Sequence, residues 1–142
     1  MNRLHLIPAT ALSTCAALIA GCGGVSSDNV ASTTSHTHQL DESANGKHLK
    51  VNFGDTIIVT LHSTYWTFGL PGGFILQPVT PPQIGKGANC PSVPGTGCGT
   101  VTITYNVGKV GSGSLNAHRT TCGEALKCTA AQSNWSVTVQ AR

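Results

Sequence analysis

A chain of 142 residues with a formal net charge of +3 and only 9% charged residues holds one packed core and no more. Its basic residues stand singly, with no run, so nucleic acid is not expected as a partner.

The N-terminus carries Arg3 and then an apolar stretch to Ala20, broken by Pro8, Ser13 and Thr14. That is an export signal rather than a span, because a crossing helix needs about twenty unbroken apolar residues. Ile19, Ala20, Gly21 and Cys22 then resemble the processing site of bacterial lipoprotein signals. The resemblance implies that residues 1–21 are removed and that Cys22 carries a diacylglyceryl thioether and an acylated amine. The protein is then expected outside the cytoplasm, held to the cell membrane by lipid, in the outer membrane if the organism has one. A soluble secreted protein with Cys22 as a spare thiol is the alternative.

Residues 22–46 are rich in Ser, Thr, Asn and Asp, with almost no large apolar side chain, and are expected to form a flexible tether. Such a segment lets a domain stand about 25–30 Å from a bilayer. His36 and His38, on alternate residues, could face one metal ion, but they read as solvated tether histidines, so neither metal nor cofactor is expected. The tether is acidic through Asp28, Asp41 and Glu42, whereas residues 47–142 set seven Lys and Arg against Asp55 and Glu124. The domain's basic balance draws it weakly toward anionic headgroups or cell-wall polymers.

From residue 47 the period is two. Residues 49–53 alternate, Gly54 and Asp55 make a turn, and Ile57, Val59 and Leu61 share one face of the next strand. Tyr65 to Phe68 and Phe74 to Gln77 are shorter candidates. Val101, Ile103, Tyr105 and Val107 line one face of a longer strand. Leu115 and Ala117 follow a Gly111-Ser112-Gly113 turn, and Trp135, Val137, Val139 and Ala141 close the series. Seven short strands with Gly and Pro punctuation and no helical period predict an all-β, antiparallel Ig-like sandwich.

Setting aside Cys15 in the signal and Cys22, four cysteines remain: Cys90, Cys98, Cys122 and Cys128. An even number in a small exported domain implies disulfides, with three possible pairings. Cys90 with Cys98 and Cys122 with Cys128 is favoured, since each closes a short loop. A four-cysteine zinc site is disfavoured because the intervening seven and five residues exceed the usual spacing. The long segment 79–99, with four prolines and a bridge, is expected to be a held loop.

Val51-Asn52-Phe53-Gly54-Asp55-Thr56-Ile57 through Leu61, followed by Ser63-Thr64-Tyr65-Trp66, is similar to the opening of chagasin-type cysteine-protease inhibitors. Gly95-Thr96-Gly97-Cys98-Gly99 and Leu115-Asn116-Ala117-His118-Arg119 sit where that family has its second and third loops. The resemblance implies an Ig-like scaffold with three loops at one end, able to plug a papain-like cleft, and carries over Tyr65, Trp66 and Arg119. The family's Asn-Pro-Thr-Thr-Gly loop is replaced by His62-Ser63-Thr64, and its Arg-Pro-Trp loop by Arg119, Thr120, Thr121 and the residues to Cys128. Trp66 reads first as a core tryptophan.

Enzymatic chemistry has little to draw on. Of the two domain carboxylates, Asp55 serves a turn and Glu124 sits inside a small loop, and no nucleophile elbow occurs. The leading expectation is a monomeric, lipid-anchored Ig-like binding module. Its contact residues are His62, Ser63, Thr64, Tyr65 and Trp66, then Gly95, Thr96 and Gly97, then Arg119, Thr120, Thr121 and Glu124. The alternatives are a chagasin-like inhibitor with a cysteine protease as partner, and a structural envelope component.

Overall fold

The computed structural model describes residues 34–91, 95–123 and 126–142. The signal segment, Cys22, the first part of the tether, Pro94 and Glu124 lie outside them. The described chain runs β1 (Thr37–Leu40), a 3₁₀ turn (Glu42–Ala44), β2 (His48–Val51), β3 (Thr56–His62), β4 (Thr67–Phe68), β5 (Leu76–Pro78) and β6 (Gln83–Gly85). It continues through β7 (Thr100–Val107), β8 (Gly111–His118), β9 (Thr121–Gly123), β10 (Leu126–Lys127), the single-turn helix α1 (Ala130–Ser133) and β11 (Asn134–Ala141).

One sheet is ordered β1-β3-β7-β5, with β6 also on β7, and the other β2-β11-β8-β4; β9 and β10 form a separate hairpin. This is the Ig-like sandwich that the two-residue period predicts. Ile57, Val59 and Leu61 of β3 and Val101, Ile103, Tyr105 and Val107 of β7 point inward from the first sheet. Leu115, Trp135, Val137 and Val139 meet them from the second. At about 1.5–3 kcal/mol per fully buried aliphatic side chain, this double layer is the main source of stability.

The sheets are mixed rather than purely antiparallel, and the sandwich begins earlier than expected. Residues 37–46, expected as tether, supply β1, which pairs in parallel with β3 from Thr37↔Thr56 to Leu40↔Val59, and the 3₁₀ turn that leads to β2, which pairs in parallel with β11. The chain therefore crosses from one sheet to the other over the end of the sandwich and covers an edge of each. Asp41 caps the turn by accepting from the Ser43 amide at 2.8 Å, and its carbonyl accepts the Trp135 indole N–H at 2.9 Å.

Asp55, only 1% exposed, holds this arrangement together. It accepts from the Asn52 amide at 2.8 Å and the His36 amide at 2.9 Å, and pairs with His38 Nε2 at 2.9 Å. Burial by itself would raise its pKa; the hydrogen bonds from Asn52, His36 and His38 outweigh burial and bring it down to about 2. His36 and His38 are thus not free tether histidines: His38 bonds Asp55, and His36 Nδ1 lies 3.7 Å from it.

The same turn ends β2 at Val51, because Asp55 N–H bonds the Asn52 carbonyl and Gly54 takes φ of 87°. Phe53, expected to continue the inward face, is exposed. Other boundaries shift as well. Phe74 is exposed and β5 starts at Leu76, while Gly111 to Gly113, expected as a turn, belong to β8 and pair with β11. A side chain at Gly113 would strike Ile75 and the Gly72 carbonyl, so the two chains approach closely there. The loop 79–99 contains β6, in register with β7 through Ile84↔Val101.

Candidate functional site

β3 delivers His62, β7 starts at Thr100 and β8 ends at His118, all at one end of the sandwich. The loops between these strands and their neighbours therefore gather there, as strand alternation up and down the sheets requires.

The first loop turns sharply at Ser63, the one described non-glycine residue with positive φ, at 145°. That backbone state is costly for an L-residue and persists only where its surroundings hold it. Here Ser63 Oγ accepts from the Tyr65 amide at 3.2 Å and its carbonyl from the Trp66 amide at 3.4 Å. The second loop braces the first: the Thr64 amide donates to the Gly97 carbonyl at 2.9 Å, and the Tyr65 hydroxyl donates to the Gly95 carbonyl. Gly97 has φ of 66° and lies so close to the Tyr65 ring that a Cβ would collide with it. Cys90 and Cys98 are joined, with Cα atoms 5.5 Å apart, and staple this loop.

The third loop is built on Arg119. Its amide donates to the Ser133 carbonyl at 2.9 Å and its Nε to the Gln132 carbonyl at 3.1 Å, both on α1. The guanidinium lies over the Trp66 ring, 4.4 Å from the centroid, a cation–π stack that links the first and third loops. Cys122 and Cys128 are joined across β9 and β10, with Cα atoms 5.0 Å apart. Both bridges follow the favoured pairing.

Between the loops is a cleft of about 550 Å³, bordered by His62, Tyr65, Asn89, Thr96, Arg119 and Cys122. His62 is tied to Glu42 through Nδ1 to Oε2 at 2.9 Å and also donates its amide to Oε1. The hydrogen bond to Glu42, then its charge, raises the His62 pKa above the ordinary imidazole value. Burial acts to raise Glu42, but its hydrogen bonds with His62 outweigh that and leave it lowered.

Most expected contact residues come together. His62, Ser63, Tyr65, Thr96, Gly97 and Arg119 border the cleft, and Thr64 and Gly95 brace it. Trp66 is 6% exposed, its indole nitrogen buried without a hydrogen-bond partner among the described residues, so it lies in the core, presenting a face to Arg119. Thr120 and Thr121 sit at the base of the β9–β10 hairpin, where the Thr120 carbonyl accepts from the Cys128 amide. Sequence reasoning missed Glu42, Asn89 and the α1 carbonyls. The Thr129-x-x-Gln132 capping box, in which Gln132 Oε1 accepts from the Thr129 amide, is the one local signal that pointed to α1. Among the described residues no group of three His, Cys, Asp or Glu is placed to hold a metal ion.

These features define a class: an Ig-like β-sandwich that displays three mutually braced loops, two of them disulfide-stapled, at one end. The fold is shared with the crystal structure of the cysteine protease inhibitor EhICP2 from Entamoeba histolytica, with a TM-score of 0.51 and 16% identity over 77% of this chain and 98% of that one. It is shared equally with the solution structure of amebosin, with a TM-score of 0.54 and 16% identity over 75% of this chain and 98% of that one. No protein-family model matches the sequence, and no curated protein does.

Proposed function

We propose that this chain is an inhibitor of papain-type cysteine proteases, working as a monomer through the three-loop end of its sandwich. The observation that carries the proposal is the convergence of those loops: Ser63 to Tyr65, Gly95 to Gly97 and Arg119 form one braced surface on a scaffold shared along almost the whole length of EhICP2. A surface ordered before contact loses less entropy on binding, which favours tight association. This reading takes precedence over the general binding module because the scaffold neighbours include a named protease inhibitor. It adds no catalytic group to the partner; occlusion of the cleft is sufficient. With a lipidated Cys22 the inhibitor would act outside the cytoplasm at the membrane surface.

The test is a titration of activated papain with the oxidised protein, reductant having been removed beforehand. Residual activity should fall linearly and vanish near one equivalent, and Arg119→Glu should weaken inhibition at least tenfold while the far-UV spectrum stays that of a β protein. Full protease activity in excess of folded protein overturns the proposal. Anchoring is tested separately: mass spectrometry of the mature N-terminal peptide should show acyl mass on Cys22, and Cys22→Ala should abolish it.

A further inference from the structure

A second concavity, of about 430 Å³, opens along the side of the sandwich, between the chain following β4 and the link from β5 to β6. It shares no residue with the loop cleft. Phe68, Leu70 and Pro71 form one wall, and Pro78, Val79 and the Pro81-Pro82 pair the other. Ile103 and Tyr105 of β7 reach it from the core. Among the described residues no charged side chain borders it, and the size is that of small-molecule pockets, about 300–1,000 Å³.

Two observations narrow the occupant. The Tyr105 hydroxyl is buried with no hydrogen-bond partner among the described residues, a donor left unpaired in apolar surroundings. Burial pushes its pKa up to about 12, so it is a protonated donor at neutral pH. The rim, meanwhile, cannot take another strand: Pro71, Pro78, Pro81 and Pro82 have no N–H, and Gly69 and Val79 donate theirs inward, to the Asn116 and Thr104 carbonyls. Strand addition by a peptide is thereby denied, whereas a compact apolar body is accommodated. Leu70, 91% exposed, and Val79, 51% exposed, stand unpartnered at the mouth.

We propose that this groove binds a small uncharged apolar molecule bearing one oxygen, which accepts a hydrogen bond from Tyr105. A carboxylate of the same shape binds poorly, because the walls supply no countercharge for a desolvated anion. Since the groove and the loop end share no residue, occupancy and protease inhibition are separable.

The experiment is an amide-shift titration of the full chain with 2-naphthol and, in parallel, 2-naphthoate. 2-Naphthol should shift resonances around Val79, Ile103 and Tyr105, with an affinity about tenfold above that of 2-naphthoate. Tyr105→Phe should weaken 2-naphthol about fivefold, the loss of one neutral hydrogen bond. Leu70→Asp, at a position too exposed to disturb the core, should weaken it further by placing charge at the mouth. No shifts in the groove, equal binding of the carboxylate, or undiminished binding by both variants would overturn the proposal. Shifts confined to Gly97 and Arg119 would likewise overturn it, by assigning the probe to the loop end.

Discussion

Replacing Asp55 by Asn keeps the size of the side chain and removes its charge, so it isolates what one buried carboxylate contributes. In the folded protein Asp55 takes three hydrogen bonds on two oxygens, from His36, His38 and Asn52. An amide has one oxygen, and whichever way it is turned its NH₂ confronts a backbone donor, leaving at least one buried N–H unpaired at about 1–3 kcal/mol. The charge adds a second contribution: a carboxyl that titrates near 3.8 unfolded and about 2 folded stabilises the fold by about 2 kcal/mol. Its folded pKa is depressed, so that contribution is complete above pH 4 and disappears as the pH falls through about 2. Urea unfolding of the oxidised protein should therefore place Asp55→Asn about 3–5 kcal/mol below the parent at pH 7, with the gap closing by about 2 kcal/mol by pH 2. A gap that is independent of pH, or smaller than about 1 kcal/mol at pH 7, refutes the reasoning. Amide exchange supplies a second readout, because releasing β1 should raise exchange at Gln39 and Leu40 ahead of that in β3.

Three further outcomes are expected. Gly97→Ala, at φ of 66° and against the Tyr65 ring, should cost about 1–3 kcal/mol of stability, read by thermal melting, and reduce papain inhibition more than its loss of stability accounts for. Arg119→Ala removes the stack over Trp66 and the bond to Gln132; it should cost about 1–2 kcal/mol, and Arg119→Lys should recover little of that because an ammonium cannot lie flat on the indole. The His62 ring proton should titrate above the ordinary imidazole range by NMR and fall back in Glu42→Gln. Because its folded pKa is raised, the stability from this exposed pair is present at acidic pH and is lost as the pH rises through the folded value.

The scaffold was legible in the residues because its longest strands carry the pattern that burial imposes. β3, β7 and β11 each have one face in the core and enough length for the period of two to show, and their inward residues are those that the pattern predicts. The gathering of three loops at one end was implied by the resemblance to chagasin-type inhibitors, and the two disulfides by the economy of short closures. β1 left no such trace. Its four residues, Thr-His-Gln-Leu, read as polar tether because the inward His38 is satisfied by a carboxylate seventeen residues away rather than by apolar packing. β6, β9 and β10 are two or three residues long, below the length at which any period can be recognised.

Hydrophobic alternation thus determined the class of fold and the position of the core, while the loops at one end were implied by the resemblance to chagasin-type inhibitors. Only the tertiary structure decided that residues 37–46 belong to the sandwich, that Arg119 lies on Trp66, that Glu42 grips His62 and that Tyr105, its hydroxyl unpaired among the described residues, borders a groove. Hydrophobic alternation is written within a strand, residue by residue, whereas these contacts join side chains distant along the chain, and their energies arise only once the sheets have brought them together.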